Sequence, residues 1–85
     1  MPEKTSGIDP DFERRKKLTV ERLRDLRLRM DKLQKEVAQA IKVSESAVAL
    51  WEAGIRYPND KSFRKLAEYY KVSEEYLRGL SDNPF

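Results

Sequence analysis

The stretch Gln34-Lys35-Glu36-Val37-Ala38-Gln39-Ala40-Ile41-Lys42-Val43-Ser44-Glu45-Ser46-Ala47-Val48-Ala49-Leu50-Trp51-Glu52-Ala53-Gly54 decides the reading of this chain. Its first part places Val37, Ala38 and Ile41 on one face of a helix over Gln34 to Ile41. Ser44 is a good N-cap and Glu45 puts an anion in the first turn after it, where the helix dipole favours one. A second helix then runs from Glu45 to about Ala53 with Ala47, Val48 and Trp51 facing inward. Gly54 ends it, as a residue that takes positive φ without penalty. Two short helices joined by Lys42-Val43-Ser44 cross at a steep angle and leave the outer face of the second exposed. Small Ala38 lets the pair approach closely. Glu45, Ser46, Ala49 and Leu50 point away from it. This spacing taken alone also fits a plain helical hairpin inside a five-helix bundle.

Downstream, Ile55-Arg56-Tyr57-Pro58 reads as a loop. Asn59 caps a further helix, Asp60 to Tyr70, whose inner face is Phe63, Leu66, Ala67 and Tyr70 at i, i+3, i+4 and i+7. A short last helix, Glu74 to Arg78, stops at Gly79. The segments Ile41-Lys42-Val43-Ser44-Glu45 and Tyr70-Lys71-Val72-Ser73-Glu74 are alike, and both read as helix end, turn residue, apolar residue, Ser cap and first-turn Glu. They are the same physical device used twice, a tight helix-to-helix corner.

Upstream, Thr19 reads as the N-cap of a first helix over about Val20 to Met30, with Glu21 in its first turn and Leu23, Leu26 and Met30 on one face. Arg22, Arg24, Arg27 and Arg29 fall on the other. Residues 1–17 show no apolar helical period and hold Pro2, Gly7 and Pro10. They are expected to form a flexible arm, with residues 18–80 as the folded domain and 81–85 as a tail or linker. The net charge of +3 is unevenly spread. All of the excess lies in residues 1–32, concentrated in Arg14-Arg15-Lys16-Lys17, and the remainder is balanced. Such a cluster suits phosphate contacts, and equally a solvated tail.

An 85-residue chain is at most one domain. It contains no Cys and no His, which removes disulfides, thiol nucleophiles, imidazole bases and the common zinc arrangements together. No run of about 18 apolar residues is present to span a bilayer, and Met1–Phe12 has no apolar signal core. A cytoplasmic protein with no cofactor, no metal and no small-molecule substrate is the expectation. Without paired carboxylates at a recognisable spacing in a cleft, enzyme chemistry is not indicated.

The segments Leu23-Arg24-Asp25-Leu26-Arg27, Gln34-Lys35-Glu36-Val37-Ala38, Val43-Ser44-Glu45-Ser46, Trp51-Glu52-Ala53-Gly54-Ile55-Arg56-Tyr57-Pro58 and Leu66-Ala67 through Val72-Ser73-Glu74-Glu75-Tyr76-Leu77-Arg78-Gly79 together resemble the phage repressor and Cro (lambda-repressor-like, XRE-type) family of helix-turn-helix domains. The resemblance covers about residues 20–80. It implies an all-α, compact five-helix domain that places its third helix in the DNA major groove as a transcriptional regulator, a repressor in the first instance, of bacterial or phage origin. It implies double-stranded operator DNA as partner and a homodimer on that DNA. Residue by residue, it puts Gln34 on a phosphate and against the third helix, with Lys35 beside it. It puts Ser44, Glu45, Ser46, Ala49 and Leu50 at base edges or nearby sugar-phosphate. Arg56 and the backbone near Asn59 would hold phosphate, with Arg14, Arg15, Lys16 and Lys17 adding contacts from the arm. Arg27 and Glu52 would form a structural ion pair between the first and third helices.

The chain departs from the family pattern in three respects. Lys42 stands where the turn usually has Gly, and positive φ there costs a side chain on the order of 1 kcal/mol. Leu33 stands where the second helix usually has a Ser or Thr cap and Lys32 where an apolar residue precedes it, so that helix end is expected to be less well capped. The outer face of the third helix carries no Lys, Arg, Gln or Asn. An alternative function therefore stays open: a protein-interaction module on the same fold, using Leu50 with Leu28 and Tyr69 as apolar contacts.

Overall fold

The computed structural model describes residues 10–85. Five helices follow one another: α1 (Pro10–Arg29), α2 (Gln34–Ile41), α3 (Glu45–Ala53), α4 (Asp60–Tyr70) and α5 (Glu74–Leu77). Among the described residues there is no strand. The core takes buried apolar residues from every helix. Leu23 of α1, Val37 of α2, Val48 of α3, Phe63 and Leu66 of α4 and Leu77 of α5 are all essentially inaccessible to solvent. Burying each such side chain contributes roughly 1.5–3 kcal/mol. Ala38 is also buried, between α2 and the helix packed on it.

The caps of α3, α4 and α5 are made by side chains. Ser44 accepts from the Ala47 N–H, Asn59 from the Ser62 N–H and Ser73 from the Tyr76 N–H. The two similar sequence segments are the same corner in three dimensions. Lys42 (φ 62°, ψ 50°) and Lys71 (φ 59°, ψ 46°) are both left-handed. The next residue's N–H, from Val43 or Val72, reaches back to the Ala38 or Ala67 carbonyl at 3.0 Å in each case. Neither lysine is Gly, so each corner holds a local strain of about 1 kcal/mol against the packing that fixes it. At the α2 start Leu33 has no side-chain acceptor to offer, but Glu36 supplies the reciprocal half of a capping box. Its carboxylate accepts the Leu33 N–H at 2.8 Å. That end is better satisfied than the sequence suggests.

The first helix corrects the sequence reading in several ways. It begins at Pro10, not Val20, so residues 10–17 are helical and not a flexible arm. Residues 1–9 of that expected arm lie outside the described residues. Pro10 stands at the first helical position, where its missing N–H costs no hydrogen bond, and Asp11 and Glu13 place carboxylates in the first turn. Thr19 is no N-cap. It lies mid-helix, 1% exposed, and its hydroxyl donates to the Leu77 carbonyl of α5 at 2.5 Å. Helix α1 ends at Arg29, so Met30 leaves the apolar face and is 41% exposed.

Two of the arginines expected on the open face of α1, Arg22 and Arg24, dock instead, while Arg29 stays exposed and pairs with Asp25 on the same helix. The Arg22 guanidinium lies 4.0 Å from the Tyr76 ring centroid and donates to the Tyr76 and Ser81 carbonyls at 2.6 and 2.9 Å. Arg24 donates to the Glu52 carbonyl at 3.2 Å, near the end of α3. The last residues, expected as a tail or linker, make backbone contacts with the helices. The Ser73 N–H donates to the Pro84 carbonyl at 2.8 Å. Tyr69, expected to be exposed, is half-buried against the core and in edge contact with Tyr70.

Candidate nucleic-acid interface

Helix α3 is held by one polar cluster at its C-terminal end. Arg27 of α1 donates from Nε to Glu52 Oε2 at 2.8 Å and from Nη2 to Oε1 at 2.9 Å, a two-pronged match of guanidinium to carboxylate. A third donor joins them, as Gln34 Nε2 reaches Glu52 Oε1 at 3.1 Å. Arg27 spans further to the Lys32 carbonyl at 2.8 Å, which ties the α1–α2 loop to the same point. The hydrogen bond to Glu52 is the first influence that raises the Arg27 pKa above its ordinary value, so the guanidinium keeps its charge. With three side-chain donors on one carboxylate, Glu52 fixes the rotation of α3 about its axis. This decides which residues face outward.

Those residues are distributed as follows. Ser46 and Leu50 of α3, Ser44 at its cap, Arg56 in the α3–α4 loop and Asn59 at the α4 cap line one shallow concavity of about 490 Å³. Glu45 is exposed and Ala49 half-buried, both on α3 but outside that concavity. Gln34 is engaged with Glu52 at the other end of α3, and Lys35 is exposed at the start of α2. The structure thus brings five of the named positions into one surface and leaves Glu45, Ala49, Gln34 and Lys35 beside it.

The loop that carries Arg56 is pinned by backbone hydrogen bonds and ring contacts. Gly54 is left-handed at φ 76° and ends α3, and the Ile55 and Arg56 N–H groups both return to the Leu50 carbonyl, at 3.0 and 3.2 Å. Tyr57 is wedged edge-on between Phe12 of α1 and Phe63 of α4, with ring centroids 5.6 and 5.2 Å away. Pro58 is buried. On the far side of Phe63 the Arg78 guanidinium stacks at 4.3 Å and pairs with Asp60 at 3.0 Å.

The basic run at the start of α1 is divided by the helix. Arg14 pairs with Asp11 at 3.2 Å and borders Gly79, Ser81 and Asp82, while Arg15 packs under Gly79. Lys16 and Lys17 face the other way, toward Arg56. The sequence reading missed the positioning roles of Arg22 and Arg24 and the aromatic contact of Phe12. Phe12, Lys16, Thr19 and Leu23 at helical spacing were the available signal. Among the described residues no group of acidic side chains is arranged to hold a metal, and no helix is long and apolar enough to cross a membrane.

Comparison with known proteins gives a family and a relative. The chain is 33% identical over 60 residues to the HTH-type transcriptional activator BcrR of Enterococcus faecalis. That alignment covers 69% of this chain and 29% of the relative, so the chain corresponds to under a third of that protein's length. No solved structure gives a significant match. The family model described as helix-turn-helix matches residues 23–77, from the buried Leu23 of α1 to the buried Leu77 of α5. Because that span holds both corners, the Arg27–Glu52 cluster and the α3 surface, the chain belongs to the helix-turn-helix family.

Proposed function

We propose that this domain binds double-stranded DNA, with α3 in the major groove, and regulates transcription. The observation that carries the reading is the shared concavity: Ser46 and Leu50 of α3 lie on one surface with Arg56 and the α4 cap at Asn59. Base-reading side chains on the second helix of such a corner, flanked by phosphate-holding groups, are what groove recognition requires. Ser46 can donate to or accept from a base edge, and Leu50 and Ala49 suit thymine methyl groups. Glu45 can accept from the cytosine amino group and is repelled by phosphate wherever that partner is missing.

The finer reading is that the domain is a repressor that occupies an operator as a homodimer. Its half-sites would lie about one helical turn, ~34 Å, apart. The Enterococcus faecalis relative is named an activator. The same DNA-binding face serves either outcome, because the position of the operator relative to the promoter sets the sign. One feature favours a second reading, a protein-docking module: the outer face of α3 presents Glu45, Ser46, Ala49 and Leu50 and no cation. Random-site selection followed by gel mobility shift at low and moderate salt separates the two. The DNA reading expects an enriched motif with strong salt dependence. A pool that stays random would favour the docking module.

A further inference from the structure

The start of α1 and the α3–α4 loop enclose a recess of about 150 Å³ that neither the caps nor the core require. Lys16, Lys17 and Arg56 line it, with Glu13 the sole carboxylate and Val20, Gly54 and Tyr57 completing the wall. Lys17 and Arg56 are exposed, and Lys16 is half-buried with its ammonium 5.5 Å from the Phe12 ring centroid. Among the described residues none of these three cations forms an ion pair. Three like charges are therefore held around one recess with a single carboxylate to offset them, an arrangement that an anion relieves.

Two further facts name the anion. The recess shares Arg56 and Tyr57 with the α3 concavity, so the two form one continuous surface. Its lysines lie before residue 23, outside the span matched by the family model, on the part of α1 that Phe12 anchors to Tyr57. Arg14, two residues from Lys16, is turned to the opposite side of the helix and paired with Asp11. A flexible arm would make the four basic residues equivalent, whereas a helix makes them unequal.

We infer that Lys16, Lys17 and Arg56 form a phosphate clamp for the DNA backbone adjoining the groove that α3 enters, and that Arg14 takes no part in it. This rests on the DNA-binding reading above. The test uses the full chain, a mixed-sequence duplex and association constants across a salt series, since backbone contacts do not depend on sequence. The variants are Lys16→Ala with Lys17→Ala, Arg56→Ala and Arg14→Ala, each checked for an unchanged thermal melt. The slope of log K against log salt should become shallower by about 0.9 for each phosphate no longer neutralised. That is about 1.8 for the double lysine variant, about 0.9 for Arg56→Ala and nothing for Arg14→Ala. A double lysine variant with the parental slope, or an Arg14→Ala variant that falls with it, overturns the clamp and leaves DNA binding standing. A parent chain that binds no duplex overturns both.

Discussion

Arg27 of α1 and Glu52 of α3, 25 residues apart in sequence, meet through two parallel hydrogen bonds of 2.8 and 2.9 Å. Their side chains are 13% and 4% exposed. At that burial the pair is costly to break singly, because the remaining charge is left in a poorly solvated site. Glu52→Gln is expected to destabilise by about 3–5 kcal/mol. In a domain of this size that lowers Tm by well over ~10 °C. Replacing both residues with packed apolar side chains should cost much less. Thermal denaturation of both variants checks this, and a Glu52→Gln Tm equal to the parent's contradicts it.

The two left-handed lysines make a matched pair. Lys42→Gly and Lys71→Gly each remove a positive-φ cost, while the freer unfolded chain takes back up to about 1 kcal/mol. Each variant should be neutral or slightly more stable in urea denaturation. A clear loss at one corner and not the other would mean that the lysine side chain there makes a contact of its own.

Gly54 and Gly79 separate strain from packing. Both have positive φ, 76° and 77°. A Cβ on Gly54 would meet Val20 Cγ2 at 3.6 Å, an ordinary contact, whereas on Gly79 it would lie 3.0 Å from the Arg15 Cα and carbonyl oxygen. Gly54→Ala should cost about 1–2 kcal/mol from backbone conformation alone. Gly79→Ala should cost a further ~1–3 kcal/mol, because it pushes α1 off α5. Equal losses would show that the N-terminal part of α1 does not dock there.

Stability should fall in alkali through Tyr70. Burial, followed by the nearby Glu52 carboxylate, raises its phenol pKa well above the ordinary 10.0. A group whose folded pKa is raised stabilises fully below its unfolded pKa, and the benefit is lost as pH climbs from there toward the folded value. Denaturant midpoints should therefore drop from about pH 10 upward, and Tyr70→Phe should flatten that drop. An identical alkaline decline in both proteins would rule out Tyr70 as its source.

How much was legible follows from which residues carry each element. Helices α2, α3 and α4 were readable to the residue because Ser44, Asn59 and Gly54 mark their ends and Val37, Val48 and Phe63 mark their faces. The first half of α1 was not, because its inward positions are Lys16 and Thr19 and not aliphatic residues. A lysine buries its methylene stem while its charge stays wet, and Thr19 is buried with its hydroxyl satisfied by the Leu77 and Arg15 carbonyls. The α3 surface was legible as a set of residues. The partition of the basic run into Lys16 and Lys17 on one side and Arg14 on the other needed the helix to be known.

The most direct test of the account is the affinity of Leu50→Ala and of Arg56→Ala for a selected duplex and a scrambled duplex at one fixed salt. Leu50 is proposed to read bases and Arg56 to hold backbone. Leu50→Ala should weaken binding mainly on the selected duplex, by about 1–3 kcal/mol at most, and so lower the ratio between the two. Arg56→Ala should weaken both alike and leave the ratio unchanged. If Leu50→Ala shifts both duplexes equally, α3 does not read DNA sequence and the central claim is wrong.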